Sequence, residues 1–145
     1  MTKKKRLKSF DSIVSETYRE YSREDMKSNP ETNYPLFGFK YLFPTTHKDC
    51  KDAGFFKDFL MRLKKLSDLG WREIEKSPRH SFGSEKIPIE QLHPNFQMPE
   101  EFKTQKRLTV FRATGNNHVF AGVRQENTFH ILFIESEFGT LYDHN

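Results

Sequence analysis

The C-terminal part of the chain holds the side chains best suited to chemistry on a phosphate group. Arg112 and Arg124 lie in apolar segments, and Tyr142 and His144 lie in the terminal tail. Arginine binds phosphate oxygens through paired hydrogen bonds, and histidine gives or takes a proton near neutral pH. Such a set can cleave RNA without a metal ion. A base removes the 2′-hydroxyl proton, arginine stabilises the charged phosphorane, and an acid protonates the leaving 5′-oxygen.

Period-two alternation in the C-terminal strands predicts which side chains share a face of the sheet. Arg112 falls on the same face as Leu108 and Val110, where an apolar residue would suit a simple packed sheet. His130 likewise falls on an otherwise apolar face. We therefore expect Arg112 and His130 to belong to a functional site on the sheet and not to the hydrophobic core.

The segment 118–124 has two unlike faces. One face is apolar and typical of a core, and the other predicts an exposed basic and aromatic surface formed by His118, Phe120 and Arg124. An unpaired base can stack on an exposed aromatic ring, for which Phe120 and Tyr142 are the candidates.

The elements that must position these groups predict an α+β fold. Apolar spacing indicates an amphipathic helix over 9–27 and a longer helix over 51–76, which is interrupted at Gly70 and ends at Ser77-Pro78. The remaining predicted elements are a strand over 34–43, a polar connection over 78–105, and a three-stranded antiparallel meander with strands at 106–113, 118–124 and 129–134.

Composition limits the class of protein. A chain of 145 residues is predicted to form one domain, with a basic helical extension over 1–33 and a core over 34–145. The net charge of +4 only weakly favours a polyanionic partner. A single cysteine excludes an internal disulfide and a Cys-rich zinc site. With no apolar run of membrane length and no signal peptide, a soluble cytoplasmic protein without a cofactor is expected.

The order of elements from residue 34 onward resembles the RelE/ParE superfamily of bacterial toxins. The resemblance rests on Leu108–Arg112, Gly122–Arg124, Phe129–Ile134 and the terminal Leu141–His144. Members similar to RelE, YoeB and HigB cut messenger RNA, commonly in the ribosomal A site, and an antitoxin protein holds them inactive. Members similar to ParE instead poison DNA gyrase.

The resemblance implies roles for particular residues. Arg112 and Arg124 would stabilise the phosphate, and Tyr142 and His144 would orient or protonate the substrate. Where the family commonly has a His-Arg pair after its last long strand, this chain has Glu135-Ser-Glu137. The predicted RNA-binding residues are Lys103, Lys106, Arg107, His118, Phe120 and His130. Messenger RNA, the ribosome and an antitoxin are the implied partners.

Other readings of the same residues stay open. The fold can serve as a non-enzymatic binding module whose helices 9–27 and 51–69 dock a partner, or as a gyrase inhibitor. A metal-dependent nuclease would use Glu135, Glu137, Asp143 and His144. Segments 78–80 and 84–86 are either part of the site or a solvated connection.

Overall fold

The computed structural model describes residues 33–43 and 52–144. The predicted helix over 9–27 lies outside these residues. Within them the fold is α+β, as expected, with one long helix and a five-stranded sheet. The elements are β1 (Leu36–Gly38), α1 (Ala53–Lys76), β2 (Ser84–Pro88), β3 (Arg107–Arg112), β4 (Val119–Gln125) and β5 (Thr128–Ile134).

The strands are ordered β1-β5-β4-β3-β2. Strands β2 to β5 pair antiparallel with their sequence neighbours, and β1 pairs parallel with β5. The predicted three-stranded meander is therefore too short, because a fourth strand lies in the segment predicted to be a connection. Strand β2 has one buried apolar residue, Ile87, and ends in Pro88. A proline is tolerated on an edge strand. Because this strand shows no apolar alternation, the sequence did not predict it.

Helix α1 confirms the prediction from apolar spacing. The Asp52 side chain caps its first turn by accepting a hydrogen bond from the Phe55 amide at 3.1 Å. The backbone leaves the helical region at Gly70, where φ is 83°, and the helix ends at Ser77. Glycine adopts this left-handed conformation without strain. The buried face of α1 consists of Phe55, Phe59, Leu63, Leu66, Trp71 and Ile74.

Both faces of the sheet are covered. On one face α1 packs against Phe111, Phe120 and Phe129. On the other face the segment after β2 and the C-terminal tail pack against the sheet through residues such as Phe102 and Leu141. The predicted exposed face containing Phe120 is wrong, because α1 buries that ring completely.

The segment 78–105 is ordered structure and not a solvated connection. It contains β2 and two short 3₁₀ turns, Ile89–Gln91 and Glu100–Phe102. A bridge between Leu92 and Tyr142 joins it to the tail. In the described part of the chain, no helix has the length and apolar character needed to cross a membrane.

Candidate functional site

A cleft of about 460 Å³ opens where β3 ends and β4 begins. It lies on the face of the sheet opposite α1, between the turn before β2 and the C-terminal tail. Its polar lining includes Arg79, His80, Glu85, Lys86, Arg112, Asn117, Tyr142, Asp143 and His144. Three of the four predicted catalytic residues therefore meet in one depression: Arg112, Tyr142 and His144.

Arg112 is the last residue of β3, and the turn that follows fixes its guanidinium group. Nη1 donates to the Asn116 carbonyl oxygen and to Asn117 Oδ1, each at 2.9 Å. Nη2 lies 2.8 Å from His80 Nδ1. These contacts hold a planar cation at the cleft with its donors already oriented, which is the arrangement that binds a phosphate most strongly.

Two guanidinium groups approach the ring of His80. Arg79 Nε lies 3.3 Å from Nε2, and Arg112 approaches Nδ1 on the other side of the ring. A neutral imidazole has only one acceptor nitrogen, so the two arginines cannot both donate to it. Arg79 is already paired with Glu85, whose Oε1 accepts a hydrogen bond from Nη1 at 2.5 Å. Arg112 is therefore the cation at this position whose donors an anion could take.

The turn that carries Arg79 and His80 has a glycine for a steric reason. A Cβ atom at Gly83 would lie 2.0 Å from the Ser77 carbonyl oxygen. The same turn is held from α1 by Arg62, which lies over the Phe82 ring. Burial and then the charge of Arg112 lower the pKa of Arg62. The guanidinium groups of Arg62 and Arg112 are therefore close enough to repel each other.

A buried carboxylate organises the C-terminal tail. Glu135 follows β5 and is fully buried. Its Oε2 accepts hydrogen bonds from the amides of Gly139 at 3.0 Å and Leu141 at 3.2 Å, and it lies 2.9 Å from His144 Nε2. Since a carboxylate only accepts hydrogen bonds, Nε2 carries a proton and Nδ1 is left as the basic nitrogen when the ring is neutral.

Tyr142 stacks on His144 with ring centroids 4.2 Å apart. Burial raises the pKa of Tyr142 to about 12, and the carboxylates of Glu85 and Glu135 add to this effect. Arg79 and Arg112 act in the opposite direction but do not outweigh it. Tyr142 therefore remains a neutral phenol at physiological pH and can donate a hydrogen bond into the cleft.

The fourth predicted catalytic residue, Arg124, does not join this cluster. Arg112 pairs with Val119, five residues before Arg124 on β4, so the two arginines are about 16 Å apart along the sheet. The guanidinium of Arg124 lies 3.9 Å from the Trp71 ring centroid and 2.8 Å from Glu75. It fastens the end of α1 to the sheet.

The six predicted RNA-binding residues are scattered. Lys103, Lys106 and Arg107 are exposed but precede β3 or begin it, at the end away from Arg112. His118 is close to the tail, since its Nδ1 lies 3.1 Å from the Glu135 carbonyl oxygen. Phe120 is buried and has no free face on which a base could stack.

His130 is part of an aromatic cluster. Its ring contacts those of Tyr41 and Phe102, with centroids 5.7 and 5.4 Å apart. Burial lowers the pKa of His130, so the ring is held in its neutral form. Its surroundings indicate a packing role at a distance from the cleft.

The four residues of the predicted metal alternative do not converge. Asp143 lies 3.2 Å from His93, whereas His144 lies against Glu135. Over residues 33–43 and 52–144, no group of three or more histidine, cysteine or acidic side chains is arranged to hold a metal ion. The described residues therefore give that alternative no geometric support.

Two residues of the site, His80 and Glu135, were difficult to identify from the sequence. His80 lies in a polar segment, and only its proximity to arginine and charged neighbours hinted at a role. Glu135 stood out as a departure from the family pattern after the last strand and as a candidate ligand of the metal alternative, but not as a partner of His144. His80 meets Arg112 across 32 positions of the chain, which no local spacing reveals. Glu135 bonds to the tail within nine residues, but only the turn of the tail brings these partners to its side chain.

Comparison with known proteins found no relative of the chain. No family model, no curated protein and no solved structure matches the chain. What can be said of function therefore depends on the fold and on the chemistry of the cleft.

Proposed function

We propose that the chain is a metal-independent endoribonuclease, the toxin of a toxin–antitoxin pair, which cuts messenger RNA at this cleft. The observation that carries the proposal is the meeting of Arg112, His80, Tyr142 and His144 around one open depression. These groups supply a phosphate ligand, two proton-transfer groups and a neutral hydrogen-bond donor. A phosphate ligand and two proton-transfer groups are sufficient for internal cleavage of RNA.

The roles follow from the contacts of each group. A phosphodiester that takes the donors of Arg112 replaces His80 as their acceptor, and its negative charge allows His80 to carry a proton at the nitrogen that Arg112 has left. His144, oriented by Glu135, takes the proton of the attacking 2′-hydroxyl at Nδ1. His80 gives its proton to the leaving 5′-oxygen, and Arg112 stabilises the charge on the phosphorane. The products are a 2′,3′-cyclic phosphate and a 5′-hydroxyl end.

The toxin part of the proposal rests on the resemblance to the RelE/ParE superfamily. Support comes from the order strand, helix and antiparallel meander, followed by a tail that carries Tyr142 and His144. The buried Glu135 stands where the family commonly has a basic pair. We propose that this chain uses a carboxylate–histidine pair for the proton transfer instead.

Cleavage of a single-stranded RNA by the purified full chain tests the activity. We expect fragments with 5′-hydroxyl ends, formed equally well in the presence of a chelator. His144→Ala should lower the rate at least about 100-fold, the scale of lost acid–base catalysis, while the chain stays folded. RNA that stays intact both here and during translation in a host would refute the nuclease, and DNA damage in an expressing host would then indicate gyrase inhibition.

Expression in a bacterial host tests the biological target. Mapping of 5′ ends on a reporter messenger RNA should reveal new cuts within the translated region that disappear in His144→Ala. Cuts spread equally over untranslated RNA would argue against action on the ribosome. A gene for a small neighbouring protein that restores growth would supply the antitoxin.

A second candidate is a non-enzymatic binding module, which is favoured by the outer face of α1. Leu60 and Met61 are 67% and 61% exposed there. Phe59, in contrast, is buried, so its substitution would test folding and not docking. If Leu60→Ala abolishes growth inhibition while RNA stays intact, the binding module replaces the nuclease.

A further inference from the structure

An exposed aromatic ring stands at the mouth of the cleft. The side chain of Phe138 is 50% exposed and contributes to the cleft lining. The other exposed large apolar residues in the described part of the chain lie elsewhere and do not line it. They are Tyr34, Leu36, Phe39, Leu60 and Met61. Phe138 is thus distinguished by its position beside the polar groups and not by its exposure alone.

The ring is held in place by the turn that carries it. Gly139 adopts a φ of 84° and donates its amide hydrogen to the buried carboxylate of Glu135. The Thr140 amide and hydroxyl both bond to the Glu137 carbonyl oxygen, at 3.2 and 2.8 Å. The hydrogen-bonded turn thus holds a ring that is half exposed and can make a further contact.

The neighbours of Phe138 are rings and cations. Its centroid lies 4.4 Å from that of His144 and 6.2 Å from that of His118. The same cleft contains the guanidinium group of Arg112, whose acceptors are neutral. A protein partner would need a wider apolar patch, whereas one flat ring beside a phosphate-binding cation matches a single nucleotide, with its planar base and its charge.

We propose that Phe138 stacks an unpaired base of the strand whose phosphate binds at Arg112, and that the cleft therefore takes single-stranded RNA. The inference rests on the proposed nuclease function and specifies its substrate. The two residues expected from the sequence to stack a base cannot do so freely. Phe120 is fully buried, and Tyr142 is buried against His144.

Binding of a non-cleavable oligonucleotide tests the proposal without relying on cleavage. The probe is a short fluorescent single strand of RNA with a 2′-O-methyl group at each position, which removes the attacking hydroxyl, and binding is read by anisotropy at fixed salt. We expect Phe138→Ala to weaken binding about 10-fold, in line with the loss of one stacked base. Phe138→Tyr should bind as the unchanged chain does, and Phe138→Leu should bind as weakly as the alanine variant.

Phe39→Ala is the matched control, since Phe39 is also an exposed phenylalanine, 47% exposed, but lies outside the cleft lining. It should leave binding unchanged. In Phe138→Trp, binding should quench the new tryptophan emission, while the buried Trp71 contributes a constant background. Equal affinity of Phe138→Ala and the unchanged chain would overturn the proposal, as would full binding by Phe138→Leu.

The outcomes separate this proposal from the nuclease on which it rests. If RNA is cut but Phe138→Ala binds the probe normally, stacking is refuted and the nuclease stands. If RNA stays intact but binding depends on the aromatic ring, the nuclease is refuted and a single-strand binding site remains. If Phe138→Ala abolishes growth inhibition but the unchanged chain binds no oligonucleotide, Phe138 contacts a protein, and the stacking proposal is overturned.

Discussion

The two ends of the sheet carry similar arginines with different surroundings. Arg112 ends β3, is held by a turn and faces an open cleft with two histidines and a tyrosine. Arg124, near the end of β4, lies over Trp71 and pairs with Glu75. In the sequence the two looked equivalent, because both are cations embedded in apolar strands.

The difference lies in what satisfies each cation. The partners of Arg124 are a carboxylate and an aromatic face, so its charge is already compensated inside the fold. Arg112 has neutral acceptors, namely a carbonyl, an amide and an imidazole. An uncompensated cation at a cleft attracts an anionic ligand, whereas a compensated one stabilises the fold.

Replacing each arginine by alanine should give the largest difference between the two ends of the sheet. Arg112→Ala removes the principal phosphate donor, and we expect RNA cleavage to fall about 100- to 1,000-fold. Arg124→Ala should keep the rate within about 2-fold, because its partners lie away from the cleft. Initial rates on one RNA at equal concentrations provide the measurement. Equal losses in both variants would contradict the assignment of the site to one end of the sheet.

The next largest effect concerns the two carboxylates after β5. Glu135→Gln removes the charge that orients His144 but keeps the shape of the side chain, so the rate should drop about 10- to 100-fold and the pH profile should change. Glu137→Gln alters an exposed carboxylate two residues away and should do neither. Rate against pH for both variants checks this. An unchanged profile in Glu135→Gln would reduce Glu135 to a purely structural residue.

Tyr142 makes the cleft end of the sheet sensitive to alkaline pH. Below pH 10 the phenol is protonated in both the folded and the unfolded chain. As the pH rises above 10, the unfolded chain loses the proton while the folded chain retains it up to the folded pKa of about 12. Stability should therefore fall between these values, by about 2 kcal/mol in total.

Urea unfolding at pH 9, 10 and 11 tests this expectation. In Tyr142→Phe the decline should be smaller by the contribution of this phenol, although the other tyrosines still titrate. Identical pH dependence in the two proteins would mean that Tyr142 is not shielded in the folded state.

The smallest expected effect belongs to the other end of the sheet. Arg124→Ala should lower the free energy of unfolding by about 1 kcal/mol, the typical contribution of a cation–π contact with tryptophan. Arg107→Ala, an exposed control at the same end, should change it by less than about 0.5 kcal/mol. Chemical denaturation measures both. Equal stability of the two variants would show that Arg124 does not fasten α1 to the sheet.

Much of the fold could be predicted from local patterns. The helix over 53–76, its interruption at Gly70 and the positions of β3, β4 and β5 all agree with apolar spacing. There were two exceptions. The strand predicted over 34–43 is shorter, since β1 covers only Leu36–Gly38, and β2 was missed because a polar edge strand ending in Pro88 lacks alternation. Phe120 was misplaced for a related reason: alternation separates two faces of a strand but does not show that both are covered.

The sequence by itself determined the α+β class and the supply of groups able to act on a phosphate, because periodicity and residue chemistry are local properties. Only the tertiary structure decided which of these groups meet. His80 reaches Arg112 across 32 positions of the chain, and buried Glu135 orients His144. The first contact depends on strand pairing between distant segments. The second joins residues only nine positions apart, but it depends on the burial of Glu135, which arises when distant segments pack around it. The same packing separated Arg124 from the cleft and left Phe138 exposed at its mouth.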